Sequence, residues 1–138
     1  MNNPLFFAVV FAALFPLHSL MYAKTLAEDL AEIIQDADTI TIVTHSNSKL
    51  DYISFSDRDW IEKFASIIAA SDPKPQKYCW CKVFPQVLLF KDGSKFGTLS
   101  IHHREKLRAS TSTTSGDFFI GTDSAGQIIQ LINSRING

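Results

Sequence analysis

The sequence predicts an α+β domain: a two-layer sandwich in which three helices cover a small, mostly antiparallel sheet. Three observations lead to this prediction. Apolar residues recur at helical spacing in three segments, and each segment follows a capping signal. β-branched and aromatic residues dominate the stretches between those segments. An Asp-Gly pair at Asp92 and Gly93 separates two such stretches, as in a tight hairpin. The expected order is α-β-α-β-β-(β)-α.

The three predicted helices begin with the same sequence pattern. Thr25–Glu28, Ser56–Asp59 and Ser124–Gln127 each match the capping box, in which two side chains bond the free amide groups of the first turn. Apolar side chains then recur every three or four residues, and Ser71-Asp72-Pro73 ends the second helix. These stripes are best interpreted as the faces that cover the sheet.

The predicted strands lie between the helices. Thr39–Thr44, Val83–Lys91 and Lys95–His102 carry the alternation of a half-buried strand, and Asp117–Ile120 is a fourth, short candidate. Ser110–Gly116, rich in Ser and Thr, is interpreted as a solvated loop.

Pairing Lys91 with Ser94 sets an expected register for the hairpin, in which Val87 faces Thr98. Because side chains alternate along a strand, His103 should point away from the face that His102 occupies. The face with His102 would also hold Cys79, Cys81, Val83 and Arg104.

The amino terminus has the pattern of a secretory signal peptide. Leu5–Leu17 is almost wholly apolar and too short to span a bilayer, which needs about 20 residues. Ala23 supplies a small residue before a cleavage point. We therefore expect residues 1–23 to be a signal peptide, residues 24–138 to form one domain, and the mature protein to be secreted or periplasmic, with no stable membrane insertion after cleavage.

Charge narrows the classes of partner. The chain has 13 basic and 14 acidic residues, a net charge of −1, and no run of either sign. This balance argues against nucleic acid or an anionic membrane as a partner attracted by charge.

The two cysteines, Cys79 and Cys81, admit three interpretations. The first is a structural disulfide, since an exported chain meets an oxidising compartment and the cysteine count is even. In an extended strand their Cα atoms would lie roughly 6.5–7 Å apart, at the upper limit for a bridge, so a bend is needed. The second is a metal site, and the third is a reactive thiol.

The metal interpretation adds imidazole ligands to the two thiolates. Cys79 and Cys81 with His102 or His103 would suit zinc or copper, and His45 is a more distant candidate ligand. The reactive-thiol interpretation depends on Arg104 and a nearby imidazole, which would favour the thiolate form.

The same residues carry a resemblance to a known group. The Cys-x-Cys pair, a hairpin with Gly93 at its turn, a His-His pair, a downstream Arg and Asp, and a closing helix resemble an uncharacterised family of bacterial proteins over residues 79–138. Arg104 stands where that family has Gly. The resemblance implies no activity, but it implies one site built from Cys79, Cys81, His102, His103, Arg108 and Asp117.

A second, shorter likeness concerns the hairpin. Phe84–Gly93 is similar to the thioredoxin segment in which a cis-proline precedes an edge hairpin. The redox Cys-x-x-Cys of thioredoxins would fall at His45–Ser48, which contains no cysteine. Thioredoxin activity therefore does not follow.

Two functions stay open. The sequence favours an exported, non-enzymatic module that binds a protein partner, as an inhibitor or immunity factor does, and that needs no cofactor. The alternative is a metal-binding or thiol-redox protein with zinc or copper at the cysteines and histidines. No catalytic residue is assigned. The candidate functional residues are Cys79, Cys81, His102, His103, Arg104, Arg108 and Asp117.

Overall fold

A computed structural model describes residues 23–138, so the predicted signal peptide lies outside the described residues apart from Ala23. The described chain has three helices and a seven-stranded antiparallel sheet, which confirms the predicted α+β class. No helix within residues 23–138 combines the length and apolar character needed to cross a membrane. The helices are α1 (Leu26–Gln35), α2 (Arg58–Ala70) and α3 (Thr122–Ile136). The strands are β1 (Thr39–Ser46), β2 (Lys49–Phe55), β3 (Lys74–Gln76), β4 (Gln86–Lys91), β5 (Ser94–His102), β6 (Lys106–Thr111) and β7 (Ser115–Phe119).

The strand order is β2-β1-β4-β5-β6-β7-β3. β3 lies at one edge and β4 lies in the middle, so residues 77–85 must pass over β7, β6 and β5 to join them. We call residues 77–85 the crossover segment. Side chains such as Leu99 and Leu107 pack with the helices in the core. The crossover segment lies on the opposite face of the sheet, where it contacts Arg108 and Asp117.

Three strands were not predicted from the sequence: β2, β3 and β6. β2 is an edge strand with no buried residue, and β3 has only three residues, so neither shows a buried apolar face. The predicted loop at residues 110–116 is wrong at both ends, because β6 runs to Thr111 and β7 begins at Ser115. β4 begins at Gln86 rather than at Val83, since the chain before it belongs to the crossover segment.

The helix starts follow the predicted chemistry in part. At α1 the Thr25 side chain accepts a hydrogen bond from the Glu28 amide, and the capping box is complete. At α2 the cap is Asp57, because the hydroxyl of Ser56 instead pairs with Thr39 at 3.1 Å. α3 begins at Thr122, before the predicted start, and has no side-chain cap.

The β4–β5 hairpin keeps the predicted pairing only near its turn. Lys91 pairs with Ser94, but a bulge between Leu89 and Phe90 shifts the register by one residue beyond it. Val87 therefore faces Leu99 rather than Thr98. Thr98, Ser100 and His102 lie on the face that the crossover segment covers, whereas Phe96, nearer the turn than the bulge, packs against the core.

Candidate metal centre

A row of polar side chains crosses the sheet beneath the crossover segment. Gln86, Ser100, Arg108 and Asp117 are consecutive register partners on β4, β5, β6 and β7. Register partners in an antiparallel sheet share a face, so the four side chains lie side by side. Asp117 is almost completely buried, although it carries a charge, and its partners must therefore satisfy it.

Arg108 and Asp117 hold the crossover segment to the sheet. Arg108 Nε donates to Asp117 Oδ1 at 2.7 Å, and its Nη2 donates to Oδ2 at 3.0 Å. The remaining donors of the guanidinium reach the crossover: Nη1 bonds the carbonyl of Cys81 at 2.9 Å, and Nη2 bonds the carbonyl of Cys79. The Cys79 amide donates to Asp117 Oδ2 at 2.8 Å. One ion pair thus fixes the backbone on both sides of Trp80.

The ion pair also sets the protonation state of its members. The Arg108 guanidinium, with help from the Cys79 amide, lowers the pKa of Asp117 to about 2, although burial opposes that shift. The Asp117 carboxylate in turn raises the pKa of Arg108. Both groups are therefore charged at neutral pH.

The cysteines lie where the crossover segment bends. Their Cα atoms are 5.3 Å apart, inside the range of disulfides, and the structure joins the two sulfur atoms as a bridge. This distance is shorter than in an extended strand because residues 77–85 do not form one. Both cysteines are partly exposed.

His103 lies against both sulfur atoms. Its Nε2 is 3.5 Å from Sγ of Cys79 and 3.3 Å from Sγ of Cys81. The expectation that His103 points away from the cysteines is wrong, because it sits after the end of β5 with a positive φ of 50° and leaves the strand alternation. Arg104, with φ 63°, is exposed, and within residues 23–138 no hydrogen bond or ion pair joins it to the site. The predicted place of Arg104 beside the cysteines stays a prediction.

His102 is buried next to this group. Its Nε2 lies 3.4 Å from Asp117 Oδ1, and its ring centroid is 4.9 Å from that of His103. The approach to Asp117 is not aligned as a hydrogen bond, and neither ring nitrogen has a hydrogen-bond partner among the described residues. Burial lowers the pKa of His102, so the ring is neutral at neutral pH. A neutral imidazole has a nitrogen lone pair that can bind a metal ion.

These residues form a group that could bind a metal ion. One donor atom from each of Cys79, Cys81, His102 and His103 lies within 4.8 Å of the others. Sulfur and imidazole nitrogen are the usual ligands of structural zinc. His45 is not part of the group, because it lies at the end of β1 and stacks on Phe84 with ring centroids 5.3 Å apart.

Sequence reasoning missed two neighbours of the site. The Arg108 guanidinium lies 4.3 Å from the ring centre of Tyr78, a cation–π contact. Ser100 occupies the buried position beside Arg108 in the polar row. The only sequence signal for the Tyr78 contact was the presence of an aromatic residue directly before Cys79. Nothing in the local sequence marks the second.

The Phe84–Pro85 peptide bond is cis, and the hairpin that follows it lies inside the sheet rather than at its edge.

Comparison with family models, with curated proteins and with solved structures gives no match for this chain. The site is therefore interpreted from its own geometry.

Proposed function

We propose that this protein binds a transition-metal ion, zinc or copper(I), through Cys79, Cys81, His102 and His103 when the two cysteines are reduced. The observation that supports this proposal most directly is the convergence of four donor atoms within 4.8 Å of one another. Two thiolates and two imidazoles match the tetrahedral sites of zinc, and soft thiolates also favour copper(I).

The state of His102 supports the same proposal. A buried imidazole without hydrogen bonds is costly, and a metal bond would satisfy one nitrogen. Since Nε2 lies 3.4 Å from Asp117, Nδ1 is the nitrogen left for a metal. Asp117 would then accept a hydrogen bond from Nε2–H and orient the ring, as carboxylates do for many metal-bound histidines.

The redox state of the cysteines controls whether this site exists. A disulfide occupies both sulfur atoms, whereas a metal needs two thiolates. We therefore infer two exclusive states, a bridged form without metal and a dithiol form that binds it. The signal-like amino terminus supports a secreted or periplasmic location, where the bridged form persists unless it is reduced.

Cobalt(II) is the sharpest probe for this proposal. The purified protein is reduced with a phosphine, desalted under anaerobic conditions and titrated with cobalt. Equimolar cobalt should produce thiolate-to-metal charge-transfer absorption, and zinc should displace it. A parallel competition with a chromogenic copper(I) chelator decides between zinc and copper(I).

Variants and the bridged protein provide the controls. Cys81→Ser and His103→Gln should lose the cobalt signal or weaken binding strongly. His45→Gln, a histidine outside the group, should bind as the wild type does. The bridged protein should give no signal. A folded dithiol protein that binds no tighter than Cys81→Ser would overturn the proposal.

A second candidate function is the exported module that binds a protein partner. Trp80 supports it, because this residue of the crossover segment is 92% exposed and its ring makes an edge-to-face contact with Tyr78. Exposed aromatic residues of this kind are common anchors in interfaces. The Cys79→Ala, Cys81→Ala double variant separates the two functions, since a binding module should keep its partner and a metal site should be lost.

A further inference from the structure

A groove lies beside the candidate centre on the face of the sheet away from the helices. Its volume is about 830 Å³, within the range of roughly 300–1,000 Å³ typical of small-molecule sites. One wall is the crossover segment, and the other is the turn between β1 and β2. The stacked rings of His45 and Phe84 connect the two walls.

The lining of this groove favours an anion. Lys82 lines it from the crossover segment, and the hydroxyl-bearing residues Thr98, Ser100 and Ser110 line it from β5 and β6. None of the lining residues is Asp or Glu, although the chain carries 14 of them. Hydroxyl donors and a lysine without a carboxylate nearby are suited to a small molecule with a carboxylate group.

The groove reaches only one of the two sulfur-bearing residues. Cys81 lines it, whereas Cys79 does not. His103 lies beside both sulfur atoms but outside the lining. A molecule in the groove would therefore meet Cys81 first and would leave Cys79 next to the imidazole.

We propose that the groove admits a small thiol that carries a carboxylate, and that this thiol reduces the Cys79–Cys81 bridge by attack on Cys81. The inference rests on the dithiol state proposed above, because reduction is what opens the metal site. The carboxylate would pair with Lys82, and this contact would place the thiolate near Sγ of Cys81.

The chemistry balances over two steps. The first thiolate bonds to Sγ of Cys81 and breaks the bridge, so Cys79 leaves as a thiolate beside His103. A second thiolate attacks the sulfur of the bound small molecule and releases Cys81 as a thiolate. The two small thiols lose two electrons and leave joined as a disulfide. The two cysteines gain those electrons, and each protein thiolate takes one of the protons that the small thiols gave up.

Reduction rates with three small thiols test the inference. The bridged protein is mixed with 3-mercaptopropionate (anionic), 2-mercaptoethanol (neutral) or cysteamine (cationic), and free thiols are counted by alkylation and mass. Each rate, at equal thiolate concentration, is divided by the rate of the same thiol with a neutral small-molecule disulfide. The normalised rates should fall from anion to neutral to cation, with about a tenfold span that high salt compresses.

Two variants with the same charge change make the test specific. Lys82→Glu alters the groove and should reverse the order of the three thiols. Lys63→Glu alters α2, in the helical layer, and should leave the order unchanged. Equal normalised rates, an equal effect of the two variants, or a chain that forms no Cys79–Cys81 bridge would each overturn the inference.

The outcome is separable from that of the proposed function. Phosphine-reduced protein is already a dithiol, so its cobalt binding does not need the groove. Cobalt binding without thiol selectivity would reject the groove alone. Thiol selectivity without cobalt binding would reject metal binding alone.

Discussion

Arg108 Nε donates a hydrogen bond of 2.7 Å to Asp117 Oδ1, and the same guanidinium also bonds the two cysteine carbonyls of the crossover segment. The side chain of Asp117 is fully buried, so its charge depends on this partner. Removal of one member of such a pair leaves the other charged and unpaired in the interior.

Arg108→Met should therefore lower the free energy of unfolding by about 3–5 kcal/mol. Arg104→Met is the matched control, because Arg104 is exposed and its replacement should change stability by no more than about 0.5 kcal/mol. Urea unfolding of the bridged proteins, followed by circular dichroism, measures both. Equal stabilities of the two variants would contradict the role assigned to Arg108.

The depressed pKa of Asp117, about 2, predicts how stability changes in acid. An unfolded aspartate has a pKa of about 3.9, so the unfolded chain takes up the proton first as the pH falls. The stabilisation is complete above about pH 5, and a contribution on the order of 2 kcal/mol is lost as the pH falls from there toward 2. Urea unfolding between pH 6 and 2, on metal-free bridged protein, should show this loss. Asp117→Asn, although less stable, should lack that part of the pH dependence.

Reduction of the Cys79–Cys81 bridge should leave the protein folded. The bridge spans a sequence separation of only 2, and the chain-entropy model gives such a loop about 1.5 kcal/mol of stabilisation. The hydrophobic core contains neither cysteine. The Cys79→Ala, Cys81→Ala variant should therefore keep the far-ultraviolet spectrum of the wild type and lose at most about 2 kcal/mol. A variant that unfolds at room temperature would show that the bridge does more than hold the crossover segment.

Substitution of the two tryptophans should lower the free energy of unfolding by very different amounts. Trp60 is 5% exposed and its Nε1 donates to the Leu131 carbonyl at 3.1 Å, whereas Trp80 is 92% exposed. Trp60→Ala should cost about 3–5 kcal/mol, and Trp80→Ala no more than about 0.5 kcal/mol.

Fluorescence of the same protein gives an independent check. In Trp80→Phe the remaining emission from Trp60 should be blue-shifted and poorly quenched by acrylamide. In Trp60→Phe the emission from Trp80 should be red-shifted and strongly quenched. The same emission from both variants would contradict the burial of Trp60.

The helices were predictable because their apolar faces are local patterns, and at α1 the cap is local as well. The capping box of Thr25 and Glu28 is complete in the fold, as the sequence indicates. β2 was not predictable in the same way, because it is an edge strand with no buried side chain and pairs only with β1. β6 has Leu107 and Ala109 as its only buried residues, too few for a clear pattern. Its strand form depends on pairing with β5 and β7.

The site was predictable in composition and not in geometry. The residue types that could bind metal are visible in the sequence, and four of the predicted candidates converge. Their arrangement depends on two features that lie far apart in the chain. The crossover segment bends between Cys79 and Cys81, and the turn after β5 gives His103 and Arg104 positive φ values of 50° and 63°. Strand alternation cannot foresee a side chain that leaves the strand.

The two cysteines are separated by 2 residues, while Asp117 bonds the Cys79 amide across 38 residues. Pairing of the sulfur atoms therefore needs only a local bend, whereas assembly of the site needs the last three strands. The bridge is thus a contact between near neighbours in the chain, which a short peptide around Trp80 already contains in full. The four-residue group is instead a product of the complete fold, because it exists only where β5, β6 and β7 have brought distant residues under the crossover segment.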